Sequence, residues 1–476
     1  MLELEAIIGL EIHAQMNTKT KMFCGCDNDA FGKEPNTTVC PVCMGHPGTL
    51  PVPNKEGILK AMQMSLALCC TVNEDSHFDR KHYFYPDLPS GYQISQYDFP
   101  LASHGKVAYD CDGTEMTCNI TRLHMENDAG KLSHRGDVTL CDYNRAGTPL
   151  MEIVTEPDLR SAREAMAFAE ELRRILIAVN ASEADMFKGM MRFDASISLR
   201  AKGTEKLNPR SEIKNLNSFK ALERALEYEE KRLRTSWEET GGPLPGGITV
   251  GWMDDEGKTR MLRDKENAQD YRYFPEPDIP PLKVGTDLLQ KIRAELPVLP
   301  RERKQQYQSL GLNNAEVMML VDTPAIRDLF DAVYAKTGDG KRASSLILTQ
   351  LQGFLNMHRK TANDAPAVEY ILDLVASVDD KTISGNAAKA VLEEMVLTGK
   401  APKAIIADKG MGQISDEGAL ETVVQKAIAA NPNAIEDYKN GKASALGSIV
   451  GFVMKETKGQ ANPGLVQKII AKHLKQ

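Results

Sequence analysis

Long apolar runs are missing from this chain. Stretches such as Ile175–Val179 and Leu66–Cys70 fall far short of the ~20 residues that span a bilayer. The opening Met-Leu-Glu-Leu-Glu lacks the basic segment of a signal peptide, so a cytoplasmic location is expected. Cysteine is absent after Cys141, and seven of the nine histidines lie at or before His134. A secreted disulfide framework fits neither the length nor the start, so metal or catalytic chemistry is expected in the first third. An excess of positive charge is lacking too. The net charge is −8, and any RNA-binding surface must therefore be local. There is no Walker A loop, Gly-x-Gly-x-x-Gly turn, kinase loop set or Gly-x-Ser-x-Gly elbow. ATP chemistry, if present, needs a less common scaffold. Internal repeats and low-complexity tracts are also absent.

What remains is an ordinary globular composition. The 476 residues, 42% hydrophobic and 26% charged, suffice for roughly three domains. Residues 1–280 read as mixed strands and helices. Leu2, Leu4, Ala6, Ile8, Leu10 and Ile12 alternate with polar or small residues, as in a half-buried strand. Ser161-Ala-Arg-Glu164 reads as a capping box opening a helix whose stripe is Ala165, Ala169, Leu172, Leu176 and Val179. A second helix is expected from about Ser218 to Trp237. The proline-rich Tyr273–Pro281 segment reads as an extended connection. Past Pro297 and Pro300 the pattern is helical to the end, with a break at Lys409-Gly-Met-Gly412. One late helix is marked by Leu420, Val423, Val424, Ala427 and Ile428, and a last one opens at Asn462-Pro463.

Cys24-x-Cys26 and Cys40-x-x-Cys43 are two short thiol pairs on loops. This spacing suits a closed structural zinc site, with free buried thiols and redox chemistry as the alternatives. Glu11 and His13, two apart on the first strand, share the face opposite Leu10 and Ile12. Arg192, Asp194, Ser196, Ser198 and Arg200 form a second polar row of period two, and Arg122, His124 and Glu126 a third. One such row is commonly an exposed face. Three could line one concave surface holding Mg²⁺ and nucleotide phosphates. Between Lys439 and Gln476 stand seven lysines and one acid, Glu456, which read either as a solvated helical face or as a local RNA contact.

Several ordered segments carry a family resemblance. They are Ile8-Gly-Leu-Glu-Ile-His13, Val39-Cys-Pro-Val-Cys43 with Pro47-Gly-x-Leu-Pro51, Phe78-Asp-Arg-Lys-His-Tyr-Phe-Tyr-Pro-Asp-Leu-Pro89 and Gly91-Tyr-Gln-Ile-Ser-Gln96. Others are Asp142-Tyr-Asn-Arg-x-Gly-x-Pro-Leu150, Glu212-Ile-Lys-Asn-Leu-Asn-Ser218, Asp270-Tyr-Arg-Tyr-Phe-Pro-Glu-Pro-Asp278, Val453-Met-Lys455 and Thr457-Lys-Gly-x-Ala-Asn-Pro463. Along essentially its whole length the chain resembles the B subunits of glutamyl-tRNA(Gln)/aspartyl-tRNA(Asn) amidotransferases. The resemblance implies an α+β protein: a mixed α/β cradle domain with a zinc-binding loop (1–295), an all-α helical domain (296–408) and a small all-α tail domain contacting tRNA (409–476). It implies ATP-dependent phosphorylation of the side-chain carboxylate of Glu-tRNA or Asp-tRNA, then amidation with ammonia released by an amidase, the A subunit. The heterotrimer is completed by a small C subunit. The residues carried over as catalytic are Glu11, His13, Glu126, Glu152, Asp194 and Glu212, with Glu11, His13 and Glu126 as magnesium ligands. Arg80, Lys81 and Lys214 are the phosphate partners, and Cys24, Cys26, Cys40 and Cys43 the zinc ligands.

The chain departs from the family pattern at Asn127, usually a second acid, at Lys188 and Met190, at Ser196, usually Asn, and at the Gly-Ile-Thr-Val run before Trp252. These put the fine tuning of the site and the choice of substrate in question. A non-catalytic RNA-binding scaffold and a metal-dependent hydrolase using Glu11 and His13 are the competing classes. ATP cleavage stimulated by misacylated tRNA separates them.

Overall fold

The computed structural model describes residues 2–264, 271–411, 417–439, 446–457, 461 and 463–474. Asp270, Gly412, Asn462 and the tail lysines Lys442, Lys458 and Lys475 lie outside the described residues. The chain divides into two compact units, Met1–Glu302 and Arg303–Gln476. A mixed α/β region carrying a large sheet precedes a helical one, as the composition change near Pro297 indicates. No helix among the described residues is long and apolar enough to cross a membrane.

Nine strands build the main sheet of the first unit. In chain order they are β1 (Leu4–Gln15), β2 (Thr71–Val72), β3 (Ala102–Cys111), β4 (Thr114–Asn127), β5 (Pro149–Thr155), β6 (Met191–Ala201), β7 (Ser211–Leu216), β8 (Ile248–Met253) and β9 (Lys258–Asp264). Their spatial order is β9-β8-β7-β6-β1-β5-β4-β3-β2, antiparallel except between β7 and β8. Along β1 the alternation is physical: Ile8, Leu10 and Ile12 are at most 1% exposed, whereas Glu11 and His13 are part-exposed on the other face. Three helices, α1 (Lys55–Ala67), α2 (Ala162–Ala178) and α3 (Phe219–Thr240), share the apolar core with that sheet.

Helix α2 starts at Ser161, whose hydroxyl accepts the N–H of Glu164 at 3.1 Å. The expected reciprocal bond is shifted by one residue: the Glu164 carboxylate accepts from the N–H of Arg160, at 2.9 Å. Its predicted stripe is buried throughout. Helix α3 ends three residues beyond the expected Trp237, where Gly241, at φ 73°, adopts the left-handed cap that suits glycine. Glu229 of α3 is fully buried, accepting from Ser211 Oγ (2.5 Å), Thr259 Oγ1 (2.9 Å) and Arg232 Nη2 (2.5 Å). It thereby ties the helix to β7 and β9. Glu229→Ala orphans these donors and is expected to lower stability by about 3 kcal/mol in urea unfolding.

A small sheet packs beside the end of β4. It pairs Phe274–Pro275 with Asp79–His82, which pairs in turn with Tyr92–Ser95. The proline-rich connection thus supplies a two-residue edge strand, the position where proline's missing N–H costs least.

In the second unit, apolar residues from Tyr307 to Ile406 form one core. A separate cluster joins Leu420, Val424 and Ala427 of helix Glu417–Ala430 to Ile449 and Val453 of helix Leu446–Glu456 and to Val466, Ile469 and Ile470 of helix Pro463–Leu474.

Candidate active site and cysteine cluster

Cross-strand register assembles the polar face. His13 on β1 lies opposite Glu152 on β5, which lies opposite His124 on β4; on its other side His13 faces Arg192 of β6. One step along, Glu11 lies opposite Asp194, and Glu212 of β7 faces Ser196. Two ligand sets result. In each, the donor atoms lie within 4.8 Å of one another: His13, Glu126 and Glu152 in one, Glu11, Asp194 and Glu212 in the other. Glu11 and His13, neighbours on one strand face, therefore fall into adjacent but different sets.

In the first set His13 Nε2 is 3.4 Å from Glu152 and 3.8 Å from Glu126. His124 Nε2 is 3.1 Å from Glu152 and 3.8 Å from Glu126, and Ser95 Oγ donates to Glu126 at 3.2 Å. Burial opposes the charge of these carboxylates, but the imidazoles prevail. Glu152 is held well below the usual range by His124 and His13, and Glu126 is lowered by His124. The acids in turn push His124 up to about 9 against its burial.

In the second set Lys214 Nζ bridges Asp194 (2.8 Å) and Glu212 (2.9 Å). One lysine serves three carboxylates, pairing with two of them, and Glu11 has no direct ion pair among the described residues. Burial, then repulsion from Glu152, Asp194 and Glu212, raises its pKa. An imidazole with two carboxylates, and three carboxylates with an uncompensated charge, are donor sets that suit hard divalent cations such as Mg²⁺.

His13 and Glu126 of the first set and Asp194 of the second line one pocket of about 350 Å³, together with Lys214. Lys81 reaches it from the small sheet, its Nζ 4.8 Å from the Tyr271 ring centroid. Its pKa is raised despite burial, chiefly by Glu126. On the opposite strand face, Arg80 is turned away. It forms a two-pronged pair with the buried Glu276 (2.7 and 2.9 Å), contacts Asp278 at 3.2 Å, and lies 4.4 Å from the Tyr92 ring centroid. It lines a different cavity of about 240 Å³, beside the cysteine cluster. The structure therefore brings Lys81 and Lys214 together with the six acidic and imidazole residues, and places Arg80 elsewhere.

Sequence reasoning placed His124 and Arg192 in its polar rows without giving them a role, and left out Asp128. Asp128, 3% exposed, accepts from Arg192 (3.1 Å) and Gln15 (3.1 Å) and lies 3.4 Å from Arg145. The signal was available: His124, Glu126 and Asp128 continue one period of two. The departures sit mostly off the pocket. Asn127 points to the small sheet, accepting from Ile94 N at 2.8 Å, so no acid is missing from the pocket wall there. Lys188 pairs with Glu183 at 3.3 Å, and the Met190 carbonyl accepts from Gln15 N at 2.8 Å. Thr249 of the Gly-Ile-Thr-Val run donates to Glu212 at 3.4 Å.

The four thiols of Cys24, Cys26, Cys40 and Cys43 converge within 4.8 Å. Cys40 and Cys43 Sγ are 3.9 Å apart, against the ~3.8 Å that two Zn–S bonds of ~2.3 Å subtend in a tetrahedron. Cys40 N (3.2 Å) and the fully buried Lys21 Nζ (3.6 Å) point at Cys43 Sγ. The hydrogen bond from Cys24, a backbone N–H and Lys21 together bring the Cys43 thiol down to about 4. Asn144 fixes the loop, accepting from Thr38 N (2.9 Å) and donating to Glu34 O (2.7 Å). The cluster is compatible with a structural zinc.

Fold and site thus define a domain that presents clustered acids, imidazoles and lysines on one face of a mostly antiparallel sheet. A family model described as the GatB/GatE catalytic domain matches residues 6–290, and one described as the GatB domain matches residues 328–474. The chain belongs to the GatB/GatE family. It is 46% identical to the aspartyl/glutamyl-tRNA(Asn/Gln) amidotransferase B subunit of Moorella thermoacetica, over 99% of this chain and 100% of the relative. It is 45% identical to the protein so named in Persephonella marina, over 100% of both chains. It is also 45% identical to the one of that name numbered 2 in Clostridium acetobutylicum, over 99% of both.

Proposed function

We propose that this chain is the activating subunit of a tRNA-dependent amidotransferase, converting glutamate or aspartate attached to tRNA into its amide at the expense of ATP. The pair of ligand sets on one sheet face, with Lys81 and Lys214 over a shared pocket, carries the reading. A carboxylate is a poor electrophile, so its oxygen first attacks the γ-phosphorus of ATP. The bond to the β–γ bridging oxygen breaks, and ADP leaves with the electron pair. Ammonia then attacks the carbonyl carbon of the acyl phosphate; inorganic phosphate departs with the C–O pair, and the nitrogen loses a proton.

Positioning and charge neutralisation are the main tasks in such chemistry. Lys214, held between Asp194 and Glu212, and Lys81 offset the phosphate charge, while Asp128 fixes Arg192 and Arg145 at the pocket wall. His13, Glu126 and Glu152 would hold one Mg²⁺, and Glu11, Asp194 and Glu212 another. Bound there, Mg²⁺ supplies Lewis-acid neutralisation of phosphoryl oxygens.

The domains act as 1–295 for activation, 296–408 as a helical domain and 409–476 as a tRNA-contacting tail, in a cytoplasmic heterotrimer with an amidase, the A subunit, plus a small C subunit. Release of ADP by the complex, measured with Glu-tRNA(Gln) and Asp-tRNA(Asn) against the uncharged tRNAs, tests the reading. Cleavage stimulated by a misacylated tRNA is expected. Cleavage indifferent to the attached amino acid favours a hydrolase, and binding without cleavage a scaffold.

Zinc in the cysteine cluster has its own test. Elemental analysis should find about one zinc per chain. Cys40→Ser should lower that content and increase proteolysis within residues 24–54, with a milder effect on ATP affinity. Zinc-free protein prepared without chelators would remove the assignment.

A further inference from the structure

The strap from Tyr271 to Asp278 runs along the edge of the small sheet, yet little backbone holds it there. Pro275 and Pro277 cannot donate to a ladder. Two residue pairs remain, Phe274 with Arg80 and Pro275 with Asp79. Beside them, His82 N donates to Tyr271 O and Glu276 N to Phe78 O, both at 2.8 Å. A left-handed kink at Arg272, φ 44°, adds strain. Side chains therefore fix the strap, and they fall on two faces. On one face the Arg80 guanidinium grips the Glu276 carboxylate in two places and reaches Asp278. It also lies over the Phe274 and Tyr92 rings, 5.8 and 4.4 Å from their centroids. Glu276 is only 3% exposed, a costly place for a charge without a partner. On the other face Tyr271 and Tyr273 stand beside Lys81. Their ring centroids are 6.3 Å apart; Tyr83 meets Tyr271 edge-on at 6.1 Å, and Tyr97 stacks on Tyr273 at 4.4 Å. Lys81 has no ion pair among the described residues, and its ammonium sits within cation–π range of Tyr271.

We infer that Arg80 is a positioning residue for Lys81: locked to Glu276, it holds the strap in place, and the strap's Tyr271 and Tyr273 hold the Lys81 ammonium at the pocket. The inference rests on the proposed function only for what Lys81 does once placed. Arg80 serves the phosphate site through Lys81 and not by contact, since neighbours on a strand point to opposite faces. The tyrosines suit the task. Their rings attract an ammonium without neutralising it, so Lys81 keeps its charge for the anionic group it meets.

A double-mutant cycle on the full complex is the principal test, with ADP release in the presence of misacylated tRNA as the rate and thermal melting as the stability. Arg80→Gln is expected to lower kcat about tenfold or more and to change KM for ATP by less than about threefold, because the charge that Lys81 offsets is greatest in the transition state. In a Lys81→Met background the same substitution should change kcat by less than about twofold, while still lowering the melting temperature. A merely structural role would cost rate and stability alike in both backgrounds. An Arg80 that touched phosphate itself would cost the rate in both. Either result overturns the inference. Arg80→Gln leaves Glu276 buried and unpaired, so Arg80→Gln/Glu276→Gln, which removes both charges, takes its place if the single variant fails to fold. A second arm needs no catalysis. Reductive methylation of the folded complex, read by mass spectrometry, reports how open each lysine is. Lys81 is expected to react at least about fivefold faster in Arg80→Gln and in Tyr271→Leu than in wild type, with Lys214 unchanged. Unchanged Lys81 reactivity overturns the inference whatever the protein's activity. Faster Lys81 labelling together with a wild-type rate in Lys81→Met would support the clamp and remove the part that the proposed function gives to Lys81.

Discussion

Asp194→Ala is expected to lower the amidation rate by at least about a thousandfold, with folding and tRNA affinity nearly intact. The carboxylate sits on the polar face of β6 and pairs with Lys214 at 2.8 Å. Phe193 and Ala195, at most 1% exposed, keep the core on the opposite face. Removing it therefore opens no cavity. It takes one oxygen ligand from the Glu11 set and frees Lys214 to collapse onto Glu212, so both the cation site and the lysine are misplaced. Asp194→Asn keeps the shape and loses the charge, and should fail almost as badly. His13→Ala and Glu11→Ala should have effects of the same order, since each removes one of three donors from its set. Amidation rate, thermal melting and tRNA binding, measured on the same preparations, separate lost chemistry from lost structure. If all three alanine variants keep activity within about threefold of wild type, the site as drawn is wrong.

The polar rows were legible because strands put every second residue on one face. That rule finds Glu11 with His13, Arg192 with Asp194, and His124 with Glu126. It does not find their grouping, which depends on β1 pairing with strands over a hundred residues away. β5 is the clearest case. Pro-Leu-Met-Glu-Ile-Val-Thr is an almost continuous apolar run buried on both faces, with no alternation to read. Yet it lies between β1 and β4 and inserts Glu152 between His13 and His124. Arg80 and Lys81 show the same limit on a smaller scale. Both were carried over as phosphate partners, but the strand turns them to opposite faces, and Arg80 meets Glu276 from 196 residues away. The cysteine spacing was more informative because each thiol pair closes locally, within one tight turn.

Ending the chain near Lys409 is expected to weaken tRNA binding and flatten its dependence on salt, while the rest of the chain stays folded. The apolar residues after Glu417 pack among themselves, in a cluster distinct from the one that spans Tyr307–Ile406, so the cut leaves that larger core whole. Lys455, Lys468 and Lys472 are exposed and have no ion pair among the described residues, unlike His473, which pairs with Glu421 at 3.0 Å. Unpaired lysines on small helices, in a chain of net charge −8, are free to meet phosphates. Each phosphate contact adds close to one unit to the slope of log affinity against log salt, so losing even three contacts is readily measured. Glutamine hydrolysis by the amidase partner, assayed without tRNA, should hardly change. The kinetic signature is a raised KM for charged tRNA with a smaller change in kcat, because the lost contacts are common to ground and transition states. Unchanged affinity and an unchanged salt slope in the truncated, still-folded complex would reduce these lysines to a solvated face.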